Sequence, residues 1–257
     1  VVPGEVLGIA TGRETRGHRV HGSARITLER AADYESALRE KGFVVADYAA
    51  RRADVAAQVR AKAAELGGTA VIDEALLDEV SSLVEWPRAL AGRFEERFLE
   101  VPAEALISSM KQHQKYFHVV DANGALLPYF ITVSNIDSSD AQKVVDGNER
   151  VIRPRLTDAA FFFAQDKQST LAAQRERLRS IVFQTDLGSI WDKTERVAGL
   201  ARTIGAELGA DPALCARAAQ LSKSDLVSEM VLEFDELQGV MGSYYALNDG
   251  EDPAVAQ

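Results

Sequence analysis

The sequence is poor in cysteine and lacks long apolar runs. A single cysteine, Cys215, excludes a disulfide within the chain and any cysteine-rich metal site. One unpaired cysteine is typical of a protein from a reducing cytoplasm. No uninterrupted apolar run approaches the roughly 18 residues that cross a bilayer. We therefore expect a cytoplasmic protein with no membrane association.

Several common catalytic motifs are also missing. The chain has no G-x-x-x-x-G-K-[ST] phosphate loop, no G-x-G-x-x-G after a strand, and neither H-E-x-x-H nor C-x-x-C. The four histidines are His18, His21, His113 and His118, all before the midpoint of the chain. These absences disfavour a phosphate-loop enzyme, a dinucleotide-binding enzyme and a thiolate metal site.

The charge of the chain is unevenly distributed. The formal net charge is −10, which argues against a general nucleic-acid binder. Residues 221–257 hold one lysine and eight acidic residues, a net −7, which leaves −3 for the preceding 220 residues. A local basic surface is therefore compatible with that preceding part.

The first part of the chain mixes helix and strand patterns. Short β-prone runs occupy residues 1–28, and FVVAD (43–47) is predicted as a strand. Helices are predicted at 36–41, 48–66, 72–87 and 101–114, the second of them ended by Gly67-Gly68. The run YFHVV-DANG-ALLPYFITVSN predicts a hairpin that turns at Asn123-Gly124.

The second part has a different character, because residues 170–247 contain no convincing strand. Four helix candidates follow one another there, and the third opens with the cap-plus-proline signal Asp211-Pro212. We predict an α+β domain over 1–168 followed by an all-α domain over 169–257. The chain starts without methionine and ends just after a second such signal, so we expect an internal piece of a longer protein.

Residues 146–167 join the two predicted domains. At 100° per residue, Ile152, Leu156, Ala159 and Phe163 share one face, which we expect to be buried. The arginines of this stretch and the other two phenylalanines then point elsewhere; we expect the phenylalanines to pack against the helical domain. Pro154 is unfavourable inside a helix, so the helix is expected to restart or kink there.

Long strings in this sequence carry a family resemblance. They are TRGHRV (15–20), LVEWP (83–87), SSMKQHQKYF (108–117), YFITVSN (129–135), VVDGNERVIRPRLTDAAFFFAQD (144–166), LGSIWDKTERV (187–197) and KSDLVSEMVLEFDELQGVMGSYYA (223–246). Together they resemble the beta subunit of bacterial glycyl-tRNA synthetases across nearly the whole chain. The start of that subunit and its C-terminal anticodon-binding part are not matched.

The resemblance implies a division of labour. In that family the alpha subunit activates glycine with ATP and Mg²⁺, and the beta subunit binds and positions tRNA(Gly) within an α2β2 tetramer. The expected partners are therefore tRNA(Gly) and the alpha subunit, with no cofactor and no aminoacylation site in this chain. The first domain resembles the editing-type domain of phenylalanyl-tRNA synthetase beta subunits, and the second resembles a degenerate HD domain.

Two other functions remain open at this point. A metal-dependent HD phosphohydrolase needs histidine and a His-Asp pair as ligands. However, Lys193 stands at the first histidine position, and Ser222-Lys223 or Ser224-Asp225 stands at the pair. A hydrolytic editing module needs a pocket with a positioned water, for which His113 is the candidate residue.

Basic and aromatic side chains supply the candidates for tRNA contact. The candidates are Arg16, His18, Arg19, Lys111, His113, Gln114, Lys115, Arg150, Arg153 and Arg155. Tyr116 and Phe117 are predicted to help His113 and Gln114 stack on a nucleotide. Each group also has an alternative interpretation without RNA. The loop at 13–19 would be a solvated basic turn, and the lysines would only stabilise the C-terminus of their helix through its dipole. The acidic row Asp225, Glu229 and Glu233 is expected to form a solvated helix face.

Overall fold

The computed structural model of the chain describes residues 2–22 and 24–257. It contains two compact units. Unit 1 comprises the chain as far as Leu99 together with Ser109–Arg153, and unit 2 comprises Glu100–Ser108 together with Pro154–Gln257. Both units combine helices with strands. The domain boundary at 168 and the editing-like and HD-like assignments stay predictions.

The helices and strands follow one another irregularly along the chain. Up to residue 134 they are β1 (Glu5–Val6), β2 (Ile9–Ala10), β3 (Glu14–Thr15), β4 (Ile26–Thr27), α1 (Tyr34–Ala37), α2 (Tyr48–Glu65), β5 (Thr69–Ala70), α3 (Glu74–Leu83), β6 (Arg88–Arg93), α4 (Ala103–Ser108), β7 (Phe117–Val120) and β8 (Leu126–Ser134). Beyond it they are α5 (Ala141–Asp166), α6 (Leu171–Gln174), β9 (Val182–Gln184), β10 (Gly188–Ser189), α7 (Ile190–Glu207), α8 (Pro212–Leu221), α9 (Glu229–Glu233) and α10 (Val240–Asn248).

Unit 1 is built on a four-stranded antiparallel sheet. The strand order is β5-β7-β8-β6. The predicted hairpin is confirmed as β7 and β8, and Gly124 supplies the positive φ of +83° at its turn. Helix α2 packs against this sheet, and α3 packs against α2. Side chains from the helices and the sheet form a common core: Val55, Ala56, Val59, Ala63, Ala70, Leu76, Leu77, Val80, Val84, Ala89, Phe117, Val119 and Ile131.

Local signals place the helices of unit 1. The Asp47 carboxylate accepts the Ala50 N–H at 2.6 Å and caps α2, and Asp73 caps α3 by accepting the Leu76 N–H at 2.8 Å. Helix α2 ends two residues before Gly67, whose φ is +74°. The amphipathic helix predicted at 48–66 is thereby confirmed.

The strand predicted at FVVAD is wrong. Residues 43–47 form an irregular segment, because Phe43 has a left-handed backbone with φ +53° directly after the helical turns of residues 34–42. The segment has isolated partners instead of a strand ladder. The Val45 N–H donates to the Glu85 carbonyl at 2.9 Å, and Arg51 Nη1 donates to the Val45 carbonyl at 2.6 Å.

Strand β6 was not predicted from the sequence. Its residues, RALAGR, include no β-branched or aromatic side chain, so its local strand signal is weak. Six consecutive residue pairs to β8 hold it, from Arg88 opposite Ser134 to Arg93 opposite Tyr129. Long-range pairing therefore creates this strand.

Unit 2 is mainly helical, but the expectation of no strand at 170–247 is wrong. β9 and β10 form a short antiparallel pair, and Gly188 has a φ of +84°. Nearby, the Trp191 ring is flanked by two guanidinium groups. Arg175 Cζ lies 3.7 Å and Arg179 Cζ lies 3.6 Å from the ring centroid.

The third predicted helix of unit 2 is broken into shorter pieces. Helix α8 ends at Leu221, a 3₁₀ turn covers Ser224–Val227, and α9 begins only at Glu229. Ser228 has an extended backbone and interrupts the helix. The acidic row predicted as a solvated helix face therefore does not form, and Asp225 is fully buried.

Helix α5 confirms the predicted buried face. Ile152, Leu156 and Ala159 are completely buried, and Phe163 is half-buried and stacks on Tyr245 with ring centroids 5.9 Å apart. The helix runs from Ala141 to Asp166 through Pro154, so it does not restart there. Among the described residues, no helix is both long and apolar enough to span a membrane.

Asp225 predicts a pH dependence of stability. Its Oδ2 accepts the Gly239 N–H at 2.5 Å and the Gly242 N–H at 3.0 Å, while its buried Oδ1 has no partner among the described residues. Burial raises the pKa of this carboxyl, and the two hydrogen bonds oppose that rise. A raised carboxyl pKa gives stability that is present below the unfolded pKa of about 4 and lost as pH rises through the folded value.

We therefore expect Asp225→Asn to flatten the fall in stability as the pH rises above about 4. The amide oxygen still accepts the two glycine N–H groups, but no buried charge forms. Urea midpoints of the parent and the variant, measured across this pH range, test the expectation. Asp225→Ala, which removes the acceptor, should lower the midpoint at every pH. Parallel pH curves for the parent and Asp225→Asn would contradict the assignment.

Candidate nucleic-acid interface

The loop of residues 13–22 is held tightly against Gly42. A Cβ added to Gly17 would lie 2.6 Å from the Gly42 Cα, so only glycine fits there. The His18 N–H donates to the Gly42 carbonyl at 2.6 Å, and the Gly22 N–H donates to the His18 carbonyl at 2.7 Å. The β-prone run HRVHG therefore forms a compact turn, which fixes the arginines on either side of His18.

His18 lies inside this loop, whereas Arg16 and Arg19 lie outside it. The His18 side chain is 1% exposed, and its Nδ1 accepts the N–H groups of Val20 and His21 at 3.2 and 3.3 Å. The two arginines are exposed and form no ion pair with any described residue. The loop thus presents two unpaired guanidinium groups, and His18 stabilises the loop from within.

The lysines near the end of the 103–113 helical segment are neutralised. Lys111 Nζ lies 2.6 Å from Asp73 Oδ2, and Lys115 Nζ lies 3.0 Å from Glu79 Oε1. The hydrogen bond from Lys111 holds the pKa of Asp73 below its ordinary value. His113 is exposed and Gln114 is half-buried. These two lysines offer less net positive charge to RNA than the sequence indicates.

The predicted stacking role of Tyr116 and Phe117 is wrong. Phe117 opens strand β7 and is completely buried in the core of unit 1. Tyr116 is stacked on Phe130 with centroids 4.5 Å apart, and its hydroxyl donates to Asn148 Oδ1 at 2.6 Å. Burial raises the pKa of Tyr116 to about 12. Both rings therefore stabilise the fold.

The three arginines of α5 have different surroundings. Arg150 and Arg155 are exposed and lack an ion pair within the described part of the chain, whereas Arg153 Nε lies 2.8 Å from Glu95 Oε1. Arg153 also borders a cavity of about 320 Å³ in unit 1. Its lining consists of Arg93, Phe94, Glu95, Glu96, Pro128, Tyr129, Glu149 and Arg153. His113, the candidate for editing chemistry, does not line this cavity.

The positions compared with an HD metal site have structural roles in unit 2. The Lys193 ammonium lies 4.2 Å from the centroid of the Phe183 ring. Asp225 binds the backbone at the start of α10 through the N–H groups of Gly239 and Gly242. Lys193 thus places an ammonium group beside a ring, and the Asp225 carboxylate is already bound to two N–H donors. Neither side chain resembles a metal ligand.

Sequence reasoning missed three side chains near the arginine loop. His21, Phe43 and Trp86 form a row of rings beside it. Two of them lie in stretches that the sequence already singles out: His21 belongs to the glycine-punctuated loop, and Trp86 belongs to the LVEWP string. The backbone conformation that brings Phe43 next to them carried no recognisable sequence signal.

Comparison with known proteins gives a consistent result. A family model described as glycyl-tRNA synthetase beta subunit matches residues 1–257. Proteins named glycine–tRNA ligase beta subunit are similar over the whole chain: 57% identical in Marinobacter nauticus, 58% in Chromohalobacter salexigens and 52% in Haemophilus influenzae. The chain spans 37% of the length of each of these relatives.

Proposed function

Because the chain belongs to the family of glycyl-tRNA synthetase beta subunits, we propose that it binds and positions tRNA(Gly). The ligation of glycine to tRNA, with ATP and Mg²⁺ used by an alpha subunit, is part of the proposal for the complete enzyme. The alpha subunit and tRNA(Gly) are the proposed partners. This piece has a supporting role and no aminoacylation centre of its own.

One observation carries the proposal for RNA contact. Four candidate arginines, namely Arg16, Arg19, Arg150 and Arg155, are exposed and have no ion-pair partner among residues 2–22 and 24–257. In a chain with a net charge of −10, acidic partners are plentiful, yet these four guanidinium groups remain unpaired. Guanidinium groups bind phosphate oxygens in a bidentate manner, so unpaired arginines favour an RNA backbone as their partner.

The proposed contact predicts a difference between two neighbouring arginines. Arg150→Ala should weaken tRNA(Gly) binding and reduce the slope of log K against log salt concentration by about 0.7–0.9. Arg153→Ala should change both quantities less, because Arg153 is already paired with Glu95. A filter-binding titration of the chain with tRNA(Gly) at several salt concentrations, with and without the alpha subunit, measures both effects.

A matched control removes the same charge elsewhere in unit 1. Arg60 is exposed on α2 and belongs neither to the loop of residues 13–22 nor to α5, so Arg60→Ala should leave the salt slope unchanged. An equal change in slope for Arg60→Ala and Arg150→Ala would show that only the net charge matters. An unchanged slope for Arg150→Ala would remove α5 from the RNA surface. Failure of the chain to bind tRNA(Gly) both with and without the alpha subunit would overturn the proposed function.

A further inference from the structure

Four ring side chains of unit 1 form a continuous column. The rings of His18 and His21 are stacked, with centroids 5.1 Å apart and planes inclined by 22°. The His21 ring lies 5.9 Å from that of Phe43, and Phe43 meets Trp86 edge-on at 5.5 Å. The column runs from His18, which is buried, to Trp86, which is half-buried, and its third residue, Phe43, is 37% exposed.

The backbone at Phe43 is unusual for a bulky residue. Its φ is +53°, a left-handed conformation in which most L side chains are strained. Such strain persists where the surrounding structure enforces it, and it is common at binding sites. Here the preceding residue, Gly42, is fixed by the turn at Gly17 and His18. The fold therefore holds a partly exposed phenylalanine beside His21.

The other rings are held from neighbouring segments. The Asp137 N–H donates to His21 Nε2 at 3.0 Å, and the Asp137 carboxylate lies 2.9 Å from Arg88 Nε. Arg88 Cζ lies 4.8 Å from the centroid of the Trp86 ring. The backbone N–H of Trp86 donates to Asn135 Oδ1 at 3.0 Å. The column is thus preorganised, so a flat ligand would not have to order it.

Two N–H groups in the column lack an acceptor. Because His18 Nδ1 accepts two backbone N–H groups, Nε2 carries the ring proton. His18 Nε2 and Trp86 Nε1 are buried and have no hydrogen-bond partner within the described chain. Unpartnered buried donors are uncommon in folded proteins. Both nitrogens are inaccessible to solvent, so a ligand would reach the column through its exposed ring, Phe43.

Positive charge flanks the column without being neutralised. Arg16 and Arg19 lie two residues before and one residue after His18, and both are exposed without an ion-pair partner among the described residues. Rings that stack on bases, combined with guanidinium groups that contact phosphates, are the usual means of binding single-stranded RNA. A purely apolar peptide would leave the two arginines without a partner.

We propose that the column of rings formed by His18, His21, Phe43 and Trp86 is a stacking site for an unpaired nucleobase of RNA. Phe43 provides the exposed ring, and Arg16 and Arg19 contact the adjoining phosphates. The inference rests on the proposed function, that this chain binds tRNA(Gly), and adds the place and the mode of contact. The nucleotide comes from a loop of the tRNA or from its single-stranded 3′ end.

The test compares three variants of the 257-residue chain in filter binding with tRNA(Gly). Phe43→Leu keeps an apolar side chain but loses the aromatic face, and we expect roughly ten-fold weaker binding. Its salt slope should equal that of the parent, since no charge is removed. Phe43→Tyr should restore the affinity. Phe161→Leu, which changes a 57% exposed phenylalanine of unit 2, is the matched control and should leave binding unchanged.

A truncated tRNA(Gly) without its single-stranded 3′ end identifies the source of the base. If the effect of Phe43→Leu disappears with this RNA, the 3′ end stacks on the column; if it persists, a loop does. The chain has two tryptophans, so Trp86 is the only one left in a Trp191→Phe background. Its fluorescence should be quenched by a short single-stranded RNA, and less so with Phe43→Leu.

Each contrary result has a distinct meaning. Equal tRNA affinity for Phe43→Leu, Phe161→Leu and the parent, together with unquenched Trp86, would overturn the stacking site and leave the proposed function intact. Loss of alpha-subunit binding in Phe43→Leu, with unchanged RNA affinity, would assign the column to a protein partner and also overturn the inference. Thermal melts of each variant establish that Phe43→Leu and Phe43→Tyr are equally folded before their affinities are compared.

Discussion

Asp166→Ala is expected to destabilise unit 2 by about 3–5 kcal/mol, because it leaves two buried donors and one part-buried donor without an acceptor. Asp166 is 6% exposed at the end of α5. Its carboxylate accepts the N–H groups of Glu229 and Met230 at 2.8 and 3.0 Å, and the Tyr245 hydroxyl at 2.7 Å. One side chain thereby connects three helices of the unit.

The physical reason lies in the start of α9. The first N–H groups of a helix have no acceptor within the helix, and at α9 two of the residues that carry them, Met230 and Val231, are buried. Asp166 accepts two of them, and Ser228 Oγ accepts the Val231 N–H at 3.2 Å. Burial, and then the hydrogen bond to Asp166, raise the pKa of Tyr245, so its hydroxyl stays protonated and remains a donor.

The measurement is urea or thermal unfolding of the 257-residue chain. Asp158→Ala, which changes an exposed acid on the same helix, is the control and should alter stability by no more than about 0.5 kcal/mol. Tyr245→Phe should be destabilising in the parent and nearly neutral in the Asp166→Ala background, since its partner is already lost. Equal unfolding midpoints for Asp166→Ala and Asp158→Ala would refute this role of Asp166.

Features with a strong local signal were predictable from the sequence. Helix α2 combines an apolar repeat with an aspartate cap and a terminal glycine, and the β7–β8 hairpin has Asn123-Gly124 at its turn. The buried face of α5 follows from the helical repeat alone. In each case the residues that determine the element lie within a few positions of one another.

Features that depend on distant parts of the chain were not predictable. Strand β6 exists because β8 pairs with it, and FVVAD is irregular because Phe43 is forced into a left-handed conformation next to Gly42. The same reason applies to the candidate site. The sequence identifies Lys111 and Lys115 as basic residues but does not show their ion pairs with Asp73 and Glu79. Of the candidate arginines and lysines, Arg16, Arg19, Arg150 and Arg155 are exposed and have no ion-pair partner among the described residues.

Gly92→Ala is expected to cost about 1–3 kcal/mol of stability through overpacking. Gly92 in β6 is paired directly opposite Phe130 in β8, and the Phe130 ring occupies the space where a side chain at position 92 would lie. An added Cβ would be 2.8 and 2.9 Å from the Cε1 and Cε2 atoms of that ring, and closer still to Cζ. The ring is completely buried and stacked on Tyr116, so it has little room to move.

Gly147→Ala is the matched control for this substitution. Gly147 lies within α5, and a Cβ there would meet no atom within 4 Å. The change should stabilise the chain by roughly 0.5–1 kcal/mol, because alanine loses less backbone entropy than glycine in a helix. Urea unfolding should thus move the two midpoints in opposite directions. A midpoint for Gly92→Ala at or above that of the parent would show that the β6–β8 pair accommodates a methyl group, and that the packing of Phe130 does not require glycine at this position.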